Sequence, residues 1–245
     1  MRALVLWRLS RDRGIALLVL VGLLLAAYSG RNLDRTTALL YLVGLSQGAI
    51  WGGLALFFVL YRRNVRAAAR GELGMLLLLP RGPARLALAQ AAEFLSFALL
   101  LGGGLLALGL WAVGRFDPGG AGELLRLGGY LFLALGLPAL GLFQLATAVH
   151  VAYRLGRVGG AAAAAVFLGL PMGIGWLLGR LDSEALWNFG PKVSVGSFRW
   201  LAGNVPGLEI VLPSGSWPAW PLAAGVVAFL LGALLSFAIY RETEV

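Results

Sequence analysis

Six stretches of this sequence are almost free of charge, and each is about as long as a bilayer is thick. They are Gly14–Gly30, Thr36–Tyr61, Leu86–Gly114, Leu127–Val149, Val158–Gly179 and Trp217–Tyr240, and Glu93 is the single charged side chain within them. A helix needs roughly 20 apolar residues to cross the hydrocarbon. Backbone polar groups have no water to bond there, so such stretches must close their hydrogen bonds internally. The expected fold class is therefore all-α: a polytopic membrane protein with six transmembrane helices, an N-terminal interfacial helix and a cytoplasmic hairpin. Hydrophobic residues are 60% of the chain and charged ones 13%. A soluble domain carries about 25% charged residues, so this chain cannot cover a globular surface.

The basic residues between the stretches set the orientation. One side would hold Arg2, Arg8, Arg11, Arg13, Arg62, Arg63, Arg66, Arg70, Arg81, Arg85, Arg154, Arg157 and Arg241. The other would hold Arg31, Arg35, Arg115, Arg126, Arg180, Lys192 and Arg199. Lys and Arg are retained in the cytoplasm during insertion, so both termini are expected inside. The excess of Arg over Lys, with abundant Ala, Leu and Gly, reads as genome bias and points to a bacterial plasma (inner) membrane. A net charge of +9 and a pI near 11.0 raise nucleic acid as a partner. The charges are dispersed between spans, however, and a lipid bilayer with anionic head groups explains them without nucleic acid. Cysteine is absent and His150 is the one histidine, which excludes disulfides, thiol nucleophiles and a His-based metal cluster.

In chain order, residues 1–245 read as a single transmembrane domain. Residues 1–13 place four arginines among Leu4, Leu6, Trp7 and Leu9, the pattern of a helix lying in the interface. A signal-peptide reading, with Ala27 and Ser29 near a cleavage site, is the alternative. Residues 14–61 hold spans one and two, 62–85 the cytoplasmic hairpin and 86–179 spans three to five. Residues 180–216 form an extracytoplasmic loop, and 217–245 are span six and a charged tail. The loop carries Trp187, Phe189, Phe198, Trp200, Pro206 and Pro213, suited to segments at the outer interface. Gly44, Gly48 and Gly52 share one helical face and are expected to let a neighbouring helix approach closely, as are the pairs Gly169/Gly173 and Gly175/Gly179. Pro138 and Pro171 are expected to interrupt their helices.

Polar side chains inside spans are the default functional candidates: Gln47, Glu93, Gln144 and His150, with Ser46 and Ser96 beside them. Glu93 lies about 12 Å along a helix from Arg85 at 1.5 Å per residue. An ion pair with an arginine of the hairpin is expected, a proton relay being the alternative. Gln47 and Gln144 sit near mid-span, as interhelical hydrogen bonders or path-lining groups. Ser46 and His150 could be paired as an intramembrane protease dyad, but no further signature accompanies them, and no catalytic residue is expected. HExxH and the phosphate-binding loop G-x-x-x-x-G-K-[ST] are both missing. If transport here is driven by ATP, another polypeptide supplies the energy.

The stretch Arg62–Gln90 is basic, with Gly71, a leucine run through Leu76 and Leu77, Pro80 and a short basic turn leading into the third span. It resembles the cytoplasmic loop of type-2 ABC exporter permeases, whose GT-x-E-x-LL-x-x-P-x-S-R pattern precedes a span. Glu72 stands where that family usually has a small hydroxyl residue, Gly74 where it has an acid, Gly82-Pro83 where it has Ser-Arg, and Gln90 where lysine is common. The resemblance in layout covers the whole chain. It implies a transmembrane subunit that is not itself an enzyme. Such a subunit pairs with a second permease subunit, as a homo- or heterodimer, and docks onto separate ABC ATPase subunits. ATP and Mg belong to that partner, and no cofactor is bound by this chain. The coupling residues it implies are Arg66, Arg70, Gly71, Glu72, Leu73, Leu76, Leu77 and Pro80. A helix over Val65–Leu79 would present the leucines as an apolar patch ringed by arginines, which a partner's groove could accept. A stand-alone secondary transporter or channel is the alternative function.

Overall fold

The computed structural model describes residues 12–72, 82–154, 156, 169, 172, 184, 188–195, 198–201, 209–212 and 215–242. Among these the chain forms α1 (Arg13–Ser29), α2 (Arg35–Ala69), α3 (Gly82–Gly114), α4 (Pro118–Arg154) and α5 (Trp220–Glu242). Four of them, α2 from Leu40 onward and the whole of α3, α4 and α5, are long and apolar enough to cross a membrane. At 17 residues, α1 is apolar but shorter. This is the architecture of a multi-pass, mostly helical membrane protein. The interfacial segment 1–11, the hairpin tip with Leu73, Leu76, Leu77 and Pro80, and nearly all of the expected fifth span lie outside the described residues.

Local chemistry explains the helix ends. Asp34 caps α2 in a reciprocal box, accepting from the Thr37 backbone N–H at 2.7 Å while Thr37 Oγ1 accepts from the Asp34 N–H at 2.9 Å. Two otherwise orphaned donors are thereby satisfied. Asp117 caps α4 by accepting from the Gly120 N–H at 3.1 Å, with Pro118 at the first helical position, where its missing N–H costs nothing. The expected helix over Val65–Leu79 does not form as one piece. Instead, α2 stops at Ala69 and Gly71 takes φ +76°, a conformation that ends helices and that glycine adopts without strain. Both flanks of the hairpin are helical, because α3 already begins at Gly82 with Pro83 in its first turn. Likewise α4 begins nine residues ahead of the expected fourth span, at Pro118.

Pro138 does not break α4. The helix absorbs it with a π-turn over Phe132–Gly136, and a second π-turn spans Leu99–Gly103 in α3. Such bulges are found where a backbone ladder must accommodate an extra residue.

The bundle has two distinct ends. Ala67, Ala68, Leu86, Ala87, Ala148, Val151 and Tyr240 form a core cluster at one end, bordered by Arg62, Arg66, Arg70, Arg85, Arg154 and Arg241; this is the basic end. Leu56, Leu60, Phe94, Phe97, Leu137 and Leu140 fill the middle, where Phe57 stacks on Phe143 with centroids 4.7 Å apart. Ala38 and Val113 mark the opposite end. Thus α2 and α3 are antiparallel, while α4 and α5 both run toward the basic end, side by side.

The α4–α5 seam is the closest packing in the described chain. A Cβ on Gly141 would stand 2.7 Å from the Ala228 carbonyl oxygen and 2.9 Å from the Phe229 Cα. Gly225 and Gly232 likewise face the carbonyls of Leu133 and Gly141. Three glycine Cα–H groups aimed at neighbouring carbonyls is the recurring geometry of helix contacts in membranes.

At the end opposite the basic one the expected loop contains two short antiparallel ladders. Lys192–Val195 (β1) pairs with Gly215–Pro218 (β4), and Phe198–Leu201 (β2) with Glu209–Leu212 (β3). Tyr130 anchors this element to α4, donating to the Pro218 carbonyl at 3.0 Å with its ring edge-on to Trp217.

Candidate functional site

Three of the polar side chains singled out in the sequence, Glu93, Gln144 and His150, converge toward the basic end, with α3 as the hub. Three of its residues, spaced one turn apart, each engage a different helix. The Ala87 carbonyl accepts from Gln144 Nε2 on α4 at 3.0 Å. Gln90 Oε1 accepts from the Tyr240 hydroxyl on α5 at 2.9 Å. Glu93, fully buried, pairs with the Arg63 guanidinium of α2. Arg63 also pairs with Asp12, which is 2% exposed and stands just ahead of α1.

One guanidinium thus binds two buried carboxylates and ties three helices together. A buried charge is tolerable only when paired and hydrogen-bonded, and Arg, with its planar fork of donors, suits this better than Lys. The expected pairing of Glu93 with an arginine near the hairpin is present, and its partner is Arg63.

His150 pairs with the Tyr61 hydroxyl through Nδ1, and its Nε2 accepts from Arg154 at 3.3 Å. This joins α2 to α4. Gln144 is buried, and its Oε1 has no partner among the described residues.

The remaining candidates lie elsewhere. Ser46 donates to the carbonyl of Val43 in its own helix at 2.7 Å. It stands 15 residues, or about 22 Å at 1.5 Å per residue, from Tyr61, which holds His150. The structure therefore does not bring Ser46 and His150 together. Ser96 also bonds within its own helix, to Ala92. Gln47 is exposed. Arg66, Arg70 and Gly71 are exposed and Glu72 is half-buried.

Gly44, Gly48 and Gly52 do not receive a neighbouring backbone. Gly44 has open space before it, and Gly48 and Gly52 meet only the tips of Leu105 and Leu101. They floor an apolar cavity of about 630 Å³ between α1 and α2, walled by Leu18, Gly22, Ala26 and Tyr41. Its two ends are fastened: Asp12 to Arg63 at one, and the Tyr41 hydroxyl to the Ala26 carbonyl at 2.9 Å at the other.

Sequence reasoning passed over Asp12, Tyr61, Tyr240 and the seam glycines Gly141, Gly225 and Gly232. The heptad spacing of Gly225 and Gly232 was the available signal. Asp12, one acid in a run of arginines, carried none.

Chemically the network is a set of cross-braces. It holds no activated nucleophile, and among the described residues no cluster of His, Asp and Glu could hold a metal ion. Compared with protein-family models, curated proteins and solved structures, the chain matches none.

Proposed function

We propose that this chain is the permease subunit of an ATP-binding-cassette exporter, moving its substrate with ATP hydrolysed by a separate subunit. The observation that carries the reading is the length and bracing of α2. It runs unbroken for 35 residues, about 52 Å at 1.5 Å per residue, against a hydrocarbon core of roughly 30 Å. Its last turns, with Arg62, Arg66 and Arg70, project beyond the apolar region at the basic end.

The Arg63–Glu93 pair clamps that projection to α3, and Gln90–Tyr240 and Gln144–Ala87 extend the brace to α5 and α4. A push on the segment that joins α2 to α3 is therefore delivered to four helices as a rigid displacement. This is what a soluble motor docked on the hairpin requires. The positive-inside rule puts that end in the cytoplasm of a bacterial inner membrane. The uncharged cavity between α1 and α2 supports an apolar or amphipathic cargo. A secondary transporter places its ion sites near the bilayer midplane, whereas the described ionic network lies at one end.

The test is co-purification. The tagged chain, extracted from its native membrane in mild detergent, is expected to bring down a P-loop ATPase, and Leu76→Glu with Leu77→Glu to lose it while still inserting. A homogeneous monomer with no ATPase, under several detergents, overturns the reading.

A further inference from the structure

The exposed side of α2 carries a repeat that no contact among the described residues accounts for. Leu40, Val43, Gln47, Ile50 and Leu54 follow each other at intervals of three, four, three and four, the a/d seam of a coiled coil. Trp51 and Phe58 flank it. Its apolar members are 39–62% exposed, while the contacts of α2 inside the bundle come from Leu45, Leu56, Leu60 and Phe57 on other faces. At the centre of this seam, inside the apolar part of α2, stands Gln47, exposed and with no hydrogen-bond partner among the described residues.

An amide in hydrocarbon without a partner is costly, and lipid tails offer neither donor nor acceptor. Gln47 cannot escape by snorkelling, which takes the long stems of Lys and Arg. The amide therefore selects an occupant that presents a polar group at the same depth. A second copy of this chain does so by symmetry: about a two-fold axis along the membrane normal, each α2 sets its own Gln47 opposite the other. A primary amide both donates and accepts, so the pair is self-complementary, as an isologous interface demands. One polar residue at an a position of an otherwise apolar seam is a known device for fixing register and copy number.

We infer that the α2 seam from Leu40 to Leu54 is the contact between two copies of this chain, with paired Gln47 amides setting its register. This deepens the proposed function, resting on it for the existence of a second permease subunit and giving that subunit a place and an identity.

The chain has no cysteine, so single cysteines report contacts without background. In native membranes, oxidation is expected to cross-link Leu40→Cys, Gln47→Cys and Leu54→Cys into dimers, and not Ala49→Cys, which is exposed but on another face. Gln47→Leu is expected to lower the cross-link yield at Leu54→Cys by about threefold or more, the size of an average interhelical hydrogen bond in a membrane; Gln47→Asn is expected to restore most of it. No cross-link at the three seam positions, or equal yield at Ala49→Cys, overturns the interface. So does ready labelling of Gln47→Cys by a water-soluble maleimide, which would put the amide on an aqueous path. An ATPase recovered without seam cross-links sinks the interface alone; seam cross-links without an ATPase sink the exporter reading alone.

Discussion

Arg63 balances two acids, so the energetics of the basic end turn on one side chain. Asp12, Arg63 and Glu93 together carry one excess negative charge. Arg63→Leu removes the cation that the two buried carboxylates share, and removing one partner of a buried pair costs about 3–5 kcal/mol. The guanidinium keeps about one-fifth of its side chain exposed, which places the cost near the lower end. Glu93→Gln behaves differently: it keeps an acceptor for the guanidinium and brings the triad to neutrality. It is expected to cost less than about 1.5 kcal/mol, the net worth of an ordinary hydrogen bond. Thermal unfolding in detergent, followed by the fluorescence of the eight tryptophans, checks this; equal losses for the two variants would show that Arg63 is not the shared counter-ion. That Glu93 needs an arginine was legible in the sequence, because an acid near a span's end demands one. Which arginine was not, since helical phase alone separates Arg63 from Arg62 and Arg66.

Glycine spacing was equally legible along α2 and α5, yet its meaning differs between them. On α2 the four-residue repeat Gly44, Gly48, Gly52 has no backbone against it, whereas Gly225 and Gly232 on α5 press on α4. The pattern marks a helix face that is smooth; only the tertiary arrangement decides whether that face meets a helix, a cavity or lipid. Substitution separates the cases. Gly232→Ala puts a Cβ into the Gly141 backbone and is expected to cost about 1–3 kcal/mol as overpacking. Gly44→Ala meets nothing within 4 Å and is expected to be neutral or to stabilise by up to about 1 kcal/mol through helix propensity. The same fluorescence melts decide it, and a Gly232→Ala variant as stable as the parent would refute the α4–α5 seam. The π-turn at Phe132–Gly136 had no such signal. Pro138 announces a disturbance, but whether a helix kinks, stops or bulges depends on what packs beside it, here Gly225 against the Leu133 carbonyl.

For the molecule as a whole, the direction of α4 and α5 carries more topological information than the span count. Arg154 leaves α4 at the basic end, yet Pro191 accepts from the Ala219 N–H at 2.8 Å at the far end, where β1 meets the start of α4. Two adjacent parallel helices joined by one stretch of chain require that stretch to return across the bilayer, and the uncharged run Val158–Gly179 has the length to do so. Six apolar runs in the sequence raise the expectation of a crossing there, and the parallel pair of described helices is an independent geometric reason for that expectation. Accessibility in intact cells measures it. With no native cysteine, a membrane-impermeant maleimide is expected to label Phe189→Cys, 67% exposed, from outside, and Arg154→Cys only after the membrane is opened. If both positions label from the same side, α4 and α5 cannot both cross the bilayer in parallel. If the pattern is reversed, the arginine-rich end faces outward, and no cytoplasmic motor could reach the turn after α2.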